Sequence, residues 1–166
     1  IMGDVTIPSI RRLMQSSSLD ARFYATFLLT RLDARELLTD LVERLFDRDA
    51  QTRAVAKDVI TSYRASSGFE TEVLETLREI VRSEKDDLRV ETAAVILGVV
   101  RDYESVSLLI ENMERHRLRT NRVIHEALQR IALQPLPAAT IAWRNWYESA
   151  YQESRQEWVL RAMNSN

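Results

Sequence analysis

The residues whose spacing most suggests chemistry are His125-Glu126-Ala127-Leu128-Gln129, which begin like the His-Glu-x-x-His helix of a zinc protease. That reaction needs two imidazoles one turn apart to hold the metal, with the glutamate between them acting as base. Position 129 is glutamine, the one other histidine is His116, and the chain has no cysteine, so the ligand count argues against zinc. Nor does the sequence hold a Gly-rich phosphate loop, a serine elbow or a plausible triad. Paired acids such as Glu111 and Glu114, or Asp86 and Asp87, read as solvated helix faces and caps. The expectation is a chain with no catalytic residues, no metal and no cofactor.

Arg115-His116-Arg117-Leu118-Arg119, followed by Arg122, form a basic cluster at the junction of two helices. A helix C-terminus attracts cations through its dipole, which accounts for Arg115 and Arg117. Arg119 and Arg122 need another reason, and an acidic partner, a phosphate or a nucleic-acid backbone would supply one. The overall balance, 25 acids against 23 Lys plus Arg for a net charge of -2, weighs against a dedicated nucleic-acid module. Phe23 and Phe27 form a third group: they project away from the core stripe of their helix. Either the N-terminal helix or an upstream segment covers them, or they form a surface for a partner or a second copy.

The elements that position these residues are helices. Glycine and proline number three each in 166 residues, where average usage of the two together is about 12%. Sandwiches, barrels and nucleotide-binding folds turn too often for that supply. The 45% apolar and 29% charged content is that of a core-forming, helix-rich domain. No apolar run approaches the ~20 residues of a membrane span, and the first eight residues lack a secretory pattern, so a cytoplasmic location is expected.

Four segments align on Arg22, Arg53, Arg89 and Asn121, at spacings of 31, 36 and 32. Positions 3, 6, 7 and 10 after each origin carry an amphipathic stripe: Ala25, Leu28, Leu29, Leu32; Ala56, Val59, Ile60, Tyr63; Thr92, Val95, Ile96, Val99; Ile124, Ala127, Leu128, Ile131. Partner helices fall at about 33–48, 69–83 and 102–117, with a short helix at about 7–15. Asp33 with Glu36, Ser67 with Glu70, and Ser154 with Glu157 have capping-box spacing. Pro135 and Pro137 end the periodic region, and a helix with Trp143, Trp146 and Tyr147 follows, then Trp158. These aromatics read as core, with a ligand-binding cage as the alternative.

Asp86-Asp87-Leu88-Arg89 leading to Ala93, Ile96 and Gly98, and Asp49-Ala50-Gln51-Thr52-Arg53 leading to Ala56 and Ile60, resemble the second helix of HEAT repeats over residues 6–133. The Trp-x-x-Trp-Tyr helix is similar to the C-terminal cap of some bacterial HEAT-repeat proteins. The resemblance implies an all-α fold. It would be a right-handed α-solenoid of about four antiparallel hairpins, at about 6–32, 33–65, 67–101 and 102–133, with a cap at 136–163. It also implies a structural ladder for Arg22, Arg53 and Arg89, and a non-enzymatic scaffold that binds a protein on its concave helix surface. The outward positions Ala54, Lys57, Asp58, Thr61, Val90, Ala94, Leu97, Arg122, His125, Glu126 and Gln129, with Arg119, are the expected partner surface. A nucleic-acid or anion binder centred on Arg115 to Arg122, and a non-catalytic subunit of a larger enzyme, are the alternatives.

Overall fold

Several helices in this chain start on a short acceptor that satisfies a free amide of the first turn. The computed structural model describes residues 6–150 and 153–164, excepting the side chains at 155, 158, 159, 161 and 162. All regular structure among the described residues is helical. Ser18 accepts from the Ala21 amide, Asp49 from Thr52 at 2.7 Å and Asp86 from Leu88 at 2.9 Å. These caps open α2 (Leu19–Leu28), α4 (Ala50–Ser62) and α6 (Asp87–Val100), while α1 spans Ile7–Met14. The backbone divides into two units, residues 1–75 and 76–166.

In the first unit α2 packs on α1 and α4, and α3 (Leu38–Arg44) packs on α4. Its core holds Ile10, Met14, Leu37, Leu41, Ala56 and Ile60. Tyr63, at the end of α4, ties down the loop before α3: its hydroxyl donates to the Leu32 carbonyl at 2.6 Å and accepts from the Ala34 amide at 2.9 Å. Arg22 is buried and donates from Nε and Nη2 to the two oxygens of Asp47, at 2.7 and 3.0 Å. Its Nη1 donates to the carbonyls of Ser16 and Ser17, and Arg53 does the same to Asp47 and Arg48. Arg22 and Arg53 thus each bond the carbonyls five and six residues upstream, at the loop before their own helix.

In the second unit, α5 (Glu75–Ser83) leads to α6, which packs on α8 (Leu118–Ala132). Between them α7 (Val106–Asn112) packs on α8 and on α9 (Thr140–Ala150). Arg78 forms a second two-toothed pair with buried Asp102, at 2.8 and 2.5 Å. At Gly98 the backbones of α6 and α8 approach closely, since a Cβ there would lie 2.9 Å from the Ala127 Cα. Trp143 is fully buried, with the rings of Trp146 and His125 edge-on at 5.7 and 5.9 Å. Burial on that scale leaves no open cage, and the core reading of this tryptophan holds. The last helix, α10 (Arg155–Asn164), opens on a reciprocal capping box between Ser154 and Glu157. Trp158's side chain and residues 151–152, assigned to the cap from the sequence, lie outside what is described.

Several expectations change. Counted from its cap, the residue equivalent to Arg22, Arg53 and Asn121 is Val90, four positions after Asp86. The third stripe therefore moves one residue, to Ala93, Ile96 and Leu97, while Thr92 and Val95 are only half-buried and Val99 is exposed. Leu32 is exposed because α2 stops at Leu28. The starts near Asp33 and Ser67 carry no side-chain cap: Asp33 pairs with Arg35, and the turn before Phe69 is made by Gly68 at φ +85°.

α6 ends on Arg101 at φ 57°, with Asp102 N–H bonded to the Leu97 carbonyl and Arg101 N–H to that of Gly98. That six-to-one closure normally employs glycine at the left-handed residue. A side chain there costs about 1–2 kcal/mol, against about 0.5–1 kcal/mol of extra chain entropy for glycine. Arg101→Gly is therefore expected to raise stability by about 0.5–1 kcal/mol, read as a higher thermal midpoint; an unchanged or lower midpoint would contradict this.

Candidate interaction surface

The basic cluster is organised by the start of α8. Its first turn follows Arg117 without a side-chain cap, and it carries no acid. The side chains of Arg117, Arg119 and Arg122 are 91%, 81% and 81% exposed, and Leu118 stands among them at 87%. A cleft of about 550 Å³ opens beside them, lined among others by Arg82, Lys85, Arg115 and Arg117, with Glu84 and Asp87.

Carboxylates are interleaved with these cations. Arg117 lies 3.7 Å from Asp87, Arg119 3.3 Å from Glu91, and Arg122 3.3 Å from Glu126. Asp87 also meets His116 Nδ1 at 2.9 Å, and Glu91 accepts from the buried Thr120 hydroxyl at 3.0 Å. Glu84 accepts the amides of Asp86 and Lys85, which hold its carboxyl below the usual range. Arg82 pairs with Glu79. The pairs of Arg82 with Glu79 and Arg122 with Glu126 are exposed on both sides, are worth about 0–1 kcal/mol each and exchange readily for a partner's charges.

The expected surface residues divide. Arg119, Arg122 and Glu126 are exposed along α8, as foreseen. His125 and Gln129 point elsewhere: His125 Nε2 lies 2.9 Å from the Leu136 carbonyl, and Gln129 Nε2 donates to the same oxygen at 3.2 Å. Together they hold the Pro135-Leu136-Pro137 segment, which explains a glutamine where a zinc helix would have its second histidine. Val90, Ala94 and Leu97 are buried, because α6 is enclosed around most of its circumference, and they leave the partner surface. In the first unit Ala54 and Asp58 are exposed on α4, with Lys57 and Thr61 half-buried beside them. α1 packs on α2 without covering the aromatic face, where Phe27 remains 42% exposed and Tyr24 63%, with Phe23 half-buried. Tyr24 is the member of this face that sequence reasoning missed, although it shares the angular position of its neighbours.

Among the described residues no group of three His, Cys, Asp or Glu side chains could hold a metal ion, and no helix is long and apolar enough to cross a membrane. No family model and no curated protein matches this chain.

Proposed function

We propose that this chain is a HEAT-like, right-handed α-solenoid acting as a non-enzymatic interaction scaffold, and that α8 with the adjoining cleft takes a segment of mixed charge from a partner protein. The repeated loop seal by Arg22 and Arg53 supports the repeat reading. The observation that carries the choice of partner is the carboxylate within 3.7 Å of each exposed arginine from 117 to 122. A polyanion backbone is bound by an uncompensated positive stripe. A protein partner matches mixed charge around an apolar anchor, and Leu118 is such an anchor.

Affinity capture from the cells that make the protein tests this, with wild type, Arg119→Glu/Arg122→Glu and, as a control in the other unit, Arg12→Glu. The expected result is a partner retained by wild type and control and lost, by tenfold or more, from the double variant. In parallel, labelled duplex DNA and single-stranded RNA at low salt should show no binding. Salt-sensitive nucleic-acid binding abolished by the same double variant would replace this reading with the polyanion one.

A further inference from the structure

The cleft beside the start of α8 draws its lining from separate segments: Lys85 from the loop after α5, Arg115 and His116 from the turn between α7 and α8. His116 differs from its neighbours there. Its side chain is only 9% exposed, its Nδ1 lies 2.9 Å from an Asp87 oxygen, and its Nε2 has no partner among the described residues. In a neutral ring a carboxylate partner places the hydrogen on Nδ1 and orients the imidazole, which leaves Nε2 to whatever enters the cleft.

The charges of the cleft do not balance. Both its carboxylates are engaged: Asp87 by His116 and Arg117, and Glu84 by Arg89 at 3.1 Å and by the amides of Lys85 and Asp86. Lys85 and Arg115 are exposed and have no ion-pair partner among the described residues. Along α8, by contrast, Arg119 and Arg122 each have a carboxylate at 3.3 Å. Uncompensated positive charge is therefore concentrated in the cleft, next to the one unpartnered ring nitrogen.

A phosphate monoester matches this set better than a carboxylate does. Near pH 7 it carries about −1.5 to −2 charges and three acceptor oxygens, enough for both cations and the imidazole. With a second pKa of about 6 it also exists in two protonation states near neutral pH, so that P–O⁻ accepts from an imidazolium and P–OH donates to a neutral ring. A phosphodiester has one charge and no such proton, and the carboxylates along α8 repel a continuous backbone.

We infer that the cleft is a phosphate site, in which Lys85, Arg115 and His116 Nε2 bind a phosphate monoester borne by a side chain of the partner's segment. This rests on the reading of the cleft as part of the partner surface, and it names the group that the segment places there. The exposed Leu118, two residues from His116, joins the cleft to the rest of that surface.

NMR of the isolated chain tests the site, because its only two histidines give separate ring signals. Inorganic phosphate, added against chloride at constant pH and ionic strength, should displace the His116 signals along a saturating curve. Those of His125, already held at the Leu136 carbonyl, should stay in place. Lys85→Gln/Arg115→Gln should keep the helical spectrum and weaken binding tenfold or more, while Arg12→Gln/Arg130→Gln, which removes two charges outside the cleft, should leave the affinity unchanged. Dimethyl phosphate should bind at least tenfold more weakly than phosphate. His116 signals that do not saturate, an affinity that the cleft variant leaves intact, or equal binding of the diester overturns the proposal. Phosphatase treatment of the cell extract before affinity capture tests the source: capture should be lost, and capture that persists overturns a partner-borne ester in favour of a free one. An unmoved His116 beside a protected α8 in the complex defeats this site alone; a saturating phosphate response beside an unprotected α8 defeats the α8 reading alone.

Discussion

Asp47→Ala is expected to lower the stability of the folded chain by about 3–5 kcal/mol, the usual cost of removing one partner from a buried ion pair. Asp47 is the hub of the first unit. Its carboxylate accepts two bonds from Arg22, one from Arg44 at 2.9 Å and the Asp49 amide at 3.0 Å. The side chains of Arg22 and Asp47 are only 10% and 2% exposed. Alanine strands the buried guanidinium, where the Ser16 and Ser17 carbonyls satisfy one nitrogen and leave the other two. The effect would be read from urea unfolding as a lower midpoint. Arg22→Met/Asp47→Leu, which removes both charges, should recover most of the loss; a double variant as unstable as the single one would contradict this account.

The same pair sets a pH dependence. Burial pushes the Asp47 carboxyl up, but the hydrogen bonds from Arg22 and the Asp49 amide, with the charges of Arg22 and Arg44, outweigh it and hold the group below its ordinary value. A depressed carboxyl pKa in the folded state means that its contribution is fully present above the unfolded value, ~3.9, and is lost as pH falls through the folded one. Wild-type stability should therefore fall in that acid range. The fall should be shallower in Asp47→Ala, and identical slopes would count against the assignment.

Gly98→Leu is expected to cost about 3 kcal/mol, the upper end for overpacking. The contact is with backbone: a Cβ at residue 98 would stand 2.9 Å from the Ala127 Cα and 3.0 Å from its Cβ, so α6 and α8 must separate for any side chain to fit. For Gly98→Ala two effects compete. Alanine gains about 1 kcal/mol in helix propensity, and the forced shift costs about 1–3 kcal/mol. The shift wins because a helix backbone cannot rotate away as a side-chain tip can, and Ala is expected to be destabilising by about 1 kcal/mol. Gly98→Ala combined with Ala127→Gly relieves the Cβ contact but not the Cα one, and gives up about 1 kcal/mol of helix propensity in α8, so it should be no more stable than Gly98→Ala alone. Thermal or urea unfolding of the three variants measures it, and a stabilised Gly98→Ala would show that α6 and α8 are not in close contact there.

The helical class was legible because periodicity at 3.6 residues runs through most of the chain and breakers are scarce. Caps at Ser18, Asp49 and Asp86 were equally readable in principle. Yet the third copy was set one residue early, because Arg89 is an arginine near the expected place, and aligning on side-chain type overrode counting from the cap. Long-range pairs such as Arg22 with Asp47 and Arg78 with Asp102 have separations of 25 and 24 residues, which no single-helix pattern encodes. At the candidate surface, the exposure of Arg122 and Glu126 followed from helical geometry. The engagement of His125 and Gln129 did not, since it depends on where the proline segment folds back to place one carbonyl. Val90, Ala94 and Leu97 failed for a related reason: an outward position on one helix is exposed only if nothing packs against it, and α6 is apolar nearly all round.

The most direct test of the proposed function is hydroxyl-radical footprinting of the free chain and of the captured complex. Leu118 and the exposed face of α8 around Arg119, Arg122 and Glu126 should lose most of their labelling in the complex, while exposed sites such as Leu160 and Met163 keep theirs. A complex in which α8 labels as fast as in the free chain, with protection elsewhere, would contradict the assignment of that surface to the partner.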